Sequence, residues 1–147
     1  MVESAGLVII SNNEILLVHP TGASWDGTYS IPKGEMDDFE SSLHAAIRET
    51  KEEIGIDFSS YLKDHNGNPD GVIEYKKSGT NKVYKKVFYF ILVLNDDQLI
   101  DTMKLLDIMD RENREVDWAG FVGKNDAEER IFHRFKPILE KVFELES

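Results

Sequence analysis

The chain contains no cysteine, which excludes disulfides, zinc–thiolate sites and thiol chemistry. Any bound metal must therefore be held by oxygen or imidazole ligands. Positive charge is also scarce, because 17 Lys and Arg stand against 28 Asp and Glu and leave a net charge of −11. Binding to duplex nucleic acid or to an anionic membrane depends on cations that neutralise phosphates, so we expect neither as a partner.

Long apolar runs are missing as well. No stretch approaches the ~18 consecutive apolar residues that span a bilayer, and Met1 to Ala5 lacks the basic and apolar regions of a secretory signal. We therefore expect a cytoplasmic protein. The chain has 147 residues, of which 41% are hydrophobic and 31% charged, and this composition predicts one globular domain over residues 1–147.

The first part of the chain predicts a β-hairpin. Two short apolar runs, Ala5 to Ser11 and Glu14 to His19, are separated by an Asn-Asn pair that suits a tight turn. Residues 20–38 are then rich in Gly, Pro, Ser, Thr and Asp, which predicts a long loop. Only Tyr29 to Ile31 resembles a strand within it.

Three more strands and a helix are predicted downstream. The strands cover Val72 to Tyr75, Lys82 to Leu94 and Glu115 to Val122. The second of them is apolar on both faces, which favours a central strand covered from each side. An amphipathic helix begins near Asp126 and kinks or restarts at Pro137. These elements predict an α/β fold in which helices cover both faces of a mixed sheet.

Between the loop and these strands, a helix is predicted from about Asp38 to Ile54. Asp37 or Asp38 is suited to cap it, Glu40 can complete a capping box with Asp37, and Gly55 ends it. One side of the helix carries a stripe of residues at helical spacing that we expect to be buried: Leu43, Ala46, Ile47, Thr50 and Ile54.

The same helix carries three glutamates beside that stripe. Glu49, Glu52 and Glu53 share one sector of the helix, close to its C-terminus, where the helix dipole disfavours negative charge. A solvated acidic face with Arg48 and Lys51 as counter-charges explains the cluster. A site for a hard divalent cation, which prefers carboxylate oxygen, explains it too. Taken alone, three such glutamates are more typical of a solvated face.

The wider spacing resembles the signature of the Nudix hydrolases, G-x5-E-x7-R-E-U-x-E-E-x-G-U, where U is an aliphatic or similar residue. The matching residues are Gly34, Glu40, Arg48, Glu49, Glu52, Glu53, Gly55 and Ile56. Only Thr50, at the first U, is not aliphatic. Chance agreement at this many positions is negligible. The resemblance implies the family's α/β/α sandwich around a mixed sheet.

It also implies roles for the signature residues. Glu49 and Glu53 would be the principal ligands of Mg²⁺, for which Mn²⁺ can substitute. Glu52 would bind a second metal ion or act on the attacking water, and the backbone carbonyl of Gly34 would be a further ligand. Arg48 would hold the carboxylates in place through charge-assisted hydrogen bonds.

Family members often take their general base from a glutamate outside the signature. Glu115, just before a predicted strand, is our candidate, and Glu35 and Glu74 are alternatives.

Substrate-binding residues are expected in the loop before the helix. Lys33 lies in a Pro-Lys-Gly segment and is predicted to contact a phosphate. Four aromatics near predicted loops and strand ends are candidates for stacking on a nucleobase, although packing in the core is the commoner role for any one of them: Trp25, Tyr29, Tyr75 and Trp118.

The segment resembles the corresponding loop of two groups of relatives, the dinucleoside polyphosphate and the diphosphoinositol polyphosphate hydrolases. Because an inositol polyphosphate would require a strongly basic pocket, the acidic composition favours a dinucleoside polyphosphate.

The predicted function is Mg²⁺-dependent hydrolysis of a phosphoanhydride in a nucleoside diphosphate linked to another moiety. The predicted partner is a small phosphorylated nucleotide, and the protein would be a monomer or a homodimer. The alternative is a Nudix-like module that senses a nucleotide without cleaving it. Such modules are expected to lose some of the signature glutamates, and this chain keeps all of them.

Overall fold

The computed structural model describes residues 1–109 and 115–146, with side chains as far as residue 143. The strands are β1 (Val2–Ser11), β2 (Glu14–Pro20), β3 (Lys33–Glu35), β4 (Gly71–Lys76), β5 (Val83–Val93) and β6 (Val116–Gly123). The helices are α1 (Ser42–Ile54), α2 (Asp96–Asp107), α3 (Lys124–Arg130) and α4 (Lys136–Glu146). Short 3-10 turns cover Ser59–Leu62 and His133–Phe135.

The strands form one mixed sheet in the order β4-β5-β1-β2-β6, with β3 also paired to β1. The pair β1–β5 is parallel and the other pairs are antiparallel. Strand β1 pairs with β2 only at its C-terminal end and with β3 only near its N-terminal end. Strands β2 and β3 therefore diverge on the same side of β1, and the sheet forks between them.

Helices cover both faces of this sheet. Alternate residues of β1 point to opposite sides, with Leu7 and Ile9 in one buried cluster and Val8 and Ile10 in the other. The first cluster includes residues of α1 and α2, and the second includes residues of α3 and α4. The expected α/β/α sandwich is confirmed. None of the helices in the described part of the chain has the length and apolar character needed to cross a bilayer.

Helix α1 begins later than predicted. Its cap is Ser41, whose hydroxyl oxygen accepts from the backbone N–H of His44, and not Asp37 or Asp38. Phe39 has a φ of 65°, which a right-handed helix cannot include. Glu40 does accept from the backbone N–H of Asp37, but this contact closes a separate turn before the helix.

The strand predicted at Tyr29 to Ile31 was wrong. Ser30 and Tyr29 form only isolated bridges, to Val18 and Ile131, because this segment lies in the fork between two strands. The third strand is Lys33–Glu35, immediately after it.

Downstream, the three other predicted strands are confirmed to within one or two residues. Helix α2 was missed, although Asn95 and Gln98 form a capping box at its start. The C-terminal helix restarts as expected near Pro137: α3 ends at Arg130 and α4 begins at Lys136.

Candidate active site

Arg48 donates hydrogen bonds to three of the signature glutamates. Its Nε and Nη2 donate to the two carboxylate oxygens of Glu40, at 2.7 and 2.9 Å. Its Nη1 donates to Glu49 at 2.9 Å and to Glu52 at 3.2 Å, and Nη2 also donates to the backbone carbonyl of Glu35 at 3.1 Å. The hydrogen bonds from Arg48 lower the pKa of Glu40 to about 2, so Glu40 remains ionised. This geometry is what the predicted positioning role of Arg48 requires.

Gly34 lies directly against the carboxylate of Glu49. A Cβ at position 34 would lie 2.0 Å from Oε2 of Glu49, which is far inside van der Waals contact. The requirement for glycine is thus one of space and not of a positive φ. Burial raises the pKa of Glu49, and the negative charges of Glu52 and Glu115 raise it further, while Arg48 opposes the shift.

Glu53 is the most deeply buried of the three glutamates of α1, with 8% of its surface exposed. Its Oε1 accepts from the backbone N–H of Lys33 at 2.9 Å. Burial raises the pKa of Glu53 to about 7, and the charges of Glu115 and Glu49 act in the same direction. Glu53 is thus buried although it lies beside the apolar stripe of α1, because the backbone of β3 covers it. Glu52, in contrast, is exposed.

A cavity of about 160 Å³ opens at the fork of the sheet. Its lining comes from the strands on either side of the fork, the segment between them and the end of α1: Val18, Pro20, Ser30, Ile31, Lys33, Glu53, Glu115 and Val116. The candidate base Glu115 and the candidate phosphate ligand Lys33 thus line the same cavity as Glu53. The backbone carbonyl of Glu115 accepts from Thr21 N–H at 2.9 Å, which fixes this residue at the rim.

The two alternatives to Glu115 do not line this cavity. Glu35 is exposed on β3, and Glu74 lies on the edge strand β4, opposite Lys86 of β5. Of the three candidates, the fold brings only Glu115 to Glu53 and Lys33.

The surroundings of Lys33 shift its pKa in opposite directions. Burial lowers its pKa, and the positive charge of Lys85 lowers it further, while Glu53, Glu49 and Glu115 raise it. Its ammonium group also lies 5.7 Å from the ring centroid of Phe135. Lys85 was not anticipated as a neighbour, because strand periodicity alone does not reveal that β5 and β3 approach the same region.

Within residues 1–109 and 115–143, no three acidic, histidine or cysteine side chains form a cluster with the spacing of a metal site. Glu49 and Glu52 instead engage Arg48, and Glu53 accepts from the backbone of Lys33. The assignment of Glu49, Glu52, Glu53 and Gly34 as metal ligands stays a prediction.

The one departure from the signature is accommodated by a local hydrogen bond. Thr50 is fully buried, and its hydroxyl donates to the backbone carbonyl of Ala46 at 2.7 Å. The methyl group can therefore pack in the core without leaving a polar atom unpaired.

Tyr29 and Trp25, two of the candidate stacking residues, have different surroundings. Tyr29 is buried, packs edge-on against Trp118 at 5.6 Å, and has Arg130 5.7 Å from its ring centroid. Trp25 is 56% exposed and stacks on the buried ring of His19. Trp25 is therefore the ring of the pair that has a surface open to a ligand.

Comparison with solved structures shows that this fold is the one found in Nudix hydrolases. The chain resembles a MutT NUDIX hydrolase from Burkholderia pseudomallei, with a TM-score of 0.64, 18% identity, and coverage of 96% of this chain and 97% of the other.

It also resembles an Ap4A hydrolase from C. elegans in a binary complex, with a TM-score of 0.61, 26% identity, and coverage of 96% and 99%. A third structure is the bifunctional NMN adenylyltransferase/ADP ribose pyrophosphatase from Francisella tularensis, complexed with AMP and a Mn ion. It shows a TM-score of 0.62 and 15% identity, and the alignment covers 97% of this chain and 42% of that one.

The family model for the NUDIX domain matches residues 2–141, so the chain belongs to the Nudix family. It is accordingly a pyrophosphohydrolase, of a family that generally uses divalent metal ions. A search of curated proteins found no match.

Proposed function

We propose that this enzyme hydrolyses a phosphoanhydride in a nucleoside diphosphate linked to another moiety, using Mg²⁺. One observation carries the proposal: Glu53, Glu115 and Lys33 line a single cavity beside carboxylates that Arg48 orders. A buried acid with a raised pKa, here Glu53, next to a partly buried cation is typical of catalytic centres.

The chemistry of the side chains fits Mg²⁺. The donors are hard oxygens, from Glu49, Glu52 and Glu53 and from the backbone carbonyl of Gly34, and Mg²⁺ prefers such donors. The absence of a side chain at Gly34 lets this backbone approach Glu49 closely. When bound, the ion would neutralise charge on the phosphoryl oxygens and lower the pKa of a bound water. Mn²⁺ is expected to substitute.

The other steps, which are orientation, phosphate binding and proton transfer, are carried out by protein side chains. Arg48 keeps Glu49 and Glu52 oriented, and Lys33 contacts a phosphate of the substrate. Glu115 accepts the proton of the attacking water as general base, since this exposed residue lines the cavity together with Glu53. Glu52 is the second candidate for action on that water.

The size of the cavity favours a substrate with large groups outside it. Sites that enclose a whole small ligand have volumes of roughly 300 to 1,000 Å³, and this cavity has about 160 Å³. It suits a phosphate group, with the nucleoside parts lying at the rim. Together with the Pro-Lys-Gly loop and the 26% identity to an Ap4A hydrolase, this favours a dinucleoside polyphosphate.

The test is product release from a substrate panel with Mg²⁺, with Mn²⁺ and with a chelator. The panel comprises dinucleoside polyphosphates, ADP-ribose, nucleoside triphosphates and a diphosphoinositol polyphosphate. We expect metal-dependent cleavage of the dinucleoside polyphosphates in preference to the others. Undiminished cleavage in chelator would contradict the metal proposal, and tight nucleotide binding without any cleavage would indicate a sensing module.

A further inference from the structure

A stacked pair of rings lies at the end of β2, where the strand neighbours of one ring line the cavity. Trp25, in the loop after β2, packs face to face on His19 with centroids 3.8 Å apart and an angle of 7° between the rings. The imidazole of His19 is buried at 1% exposure, whereas Trp25 is 56% exposed. One face of the indole is therefore covered by His19, and much of its remaining surface is open to solvent.

The ring beneath Trp25 is fixed at both nitrogens. Nδ1 of His19 lies 2.6 Å from Oδ1 of Asp117, and Nε2 lies 2.9 Å from the backbone carbonyl of Ser24. Both distances are within hydrogen-bonding range, so the two contacts together fix the orientation of the imidazole. The second contact also ties His19 to the residue that precedes Trp25 along the chain.

A β-bulge brings Asp117 to this position. His19 pairs with Trp118 and Pro20 pairs with Val116, which leaves Asp117 as the extra residue of β6. Bulges of this kind re-aim a side chain and are frequent next to active sites. Asp117 is thereby directed to a histidine 98 residues away in sequence.

His19 and Asp117 are each next, along their strands, to residues that line the cavity. His19 stands between Val18 and Pro20, and Asp117 follows Val116, and all three of those neighbours line the cavity. The loop that carries Trp25 begins after Pro20, which lines the cavity, so a nucleoside attached to a phosphate in the cavity would lie near this loop.

We propose that the open face of Trp25 stacks on a nucleobase of the substrate, and that His19 and Asp117 position the indole for this contact. The inference rests on the proposed nucleotide substrate. A flat exposed indole suits a planar base, whereas an inositol ring is puckered and offers no such face. Trp25 therefore favours nucleotides over non-aromatic polyphosphates.

The direct test measures equilibrium binding by calorimetry in the presence of Mg²⁺, with ADP and inorganic pyrophosphate as probes. We expect Trp25→Leu to weaken ADP binding roughly 10- to 100-fold and to leave pyrophosphate binding unchanged, while Trp25→Phe retains most of the affinity. Tyr84→Leu, which removes another exposed aromatic, on β5, is the matched control and should behave as the parent. ADP binding by Trp25→Leu that equals the parent's would overturn the proposal.

The positioning role is tested by two substitutions of Asp117. Asp117→Asn keeps an oxygen that can accept from His19, and Asp117→Leu does not. We expect Asp117→Leu to raise KM for the nucleotide substrate roughly 10-fold with kcat unchanged, and Asp117→Asn to restore the parent's KM. Equal KM values in the parent and both variants would overturn the role of Asp117.

The same experiments separate this inference from the proposed function. If the parent cleaves no nucleotide but its ADP affinity still depends on Trp25, the stacking surface stands and the proposed reaction fails. If the parent cleaves nucleotides and Trp25→Leu has the parent's KM and ADP affinity, only the stacking surface fails.

Discussion

Glu40 and Glu53 carry the same carboxyl group near opposite ends of α1, and the protein shifts their pKa values in opposite directions. Glu40 receives two hydrogen bonds from the Arg48 guanidinium, and its pKa falls to about 2. Glu53 is buried near Glu49 and Glu115, and its pKa rises to about 7. The first environment stabilises the negative charge, and the second penalises it.

The difference separates two functions within one sequence signature. Glu40 and Arg48 form an ion pair with two hydrogen bonds, which ties the segment before α1 to the helix itself. We therefore expect this pair to contribute chiefly to stability. The Glu53 environment holds negative charges close together at a cost that folding alone does not explain. Such a cost is typical of a site that acts on a cation or a substrate.

The largest effect on turnover is expected from the candidate base. Glu115→Gln removes the proposed proton acceptor and should lower kcat by roughly 10²- to 10⁴-fold, because general-base catalysis contributes factors of this size. Initial rates with saturating substrate across pH measure it. Glu35→Gln and Glu74→Gln serve as controls, since neither residue lines the cavity. Undiminished turnover in Glu115→Gln would remove this residue as the base.

A smaller loss is expected from Gly34→Ala. The added methyl would displace the carboxylate of Glu49, which is the mobile end of a side chain, so activity should fall roughly 10- to 100-fold with little change in melting temperature. Gly123→Ala is the matched control, because no atom lies within 4 Å of its added Cβ. A large loss of stability with normal activity per folded molecule would contradict this reading of Gly34.

The smallest effect on turnover is expected at Glu40, where the change is in stability. Glu40→Gln replaces charge-assisted hydrogen bonds by neutral ones and should lower the free energy of unfolding by about 1–2 kcal/mol at pH 7. Urea denaturation measures this difference.

The same variant should also change the acid sensitivity. The folded-state pKa of Glu40, about 2, is below the ordinary value of 4.5, so its contribution is complete above pH 4.5 and is lost as the pH falls towards 2. The stabilities of parent and Glu40→Gln should therefore converge across this window. A difference that stays constant down to pH 2 would contradict the assigned shift.

The signature could be found from the sequence because most of it lies on one helix, where spacing alone determines which residues are neighbours. The spacing did not, however, predict which of these side chains are buried. Glu52 and Glu53 are adjacent, yet only Glu53 is covered, because β3 and the cavity lie on its side of the helix.

Contacts between residues on different strands could not be predicted from local sequence patterns. Glu115 was already the first candidate from the sequence, but its place beside Glu53 and Lys33 follows only from the pairing of β2 with β6 and the fork in the sheet. The contact between His19 and Asp117 depends in addition on a β-bulge, and no local pattern marks it. Helix α2 was the main element missed, although Asn95 and Gln98 supplied a capping signal at its start.

The most direct test of the contrast between the two glutamates is Glu53→Gln, measured for both turnover and stability. The account predicts that turnover with Mg²⁺ falls roughly 10²- to 10³-fold, while the melting temperature in chelator stays equal to the parent's or rises, because a buried charge is replaced by a neutral amide that still accepts from Lys33 N–H. Full turnover in Glu53→Gln, or a fall in melting temperature as large as that of Glu40→Gln, would contradict it.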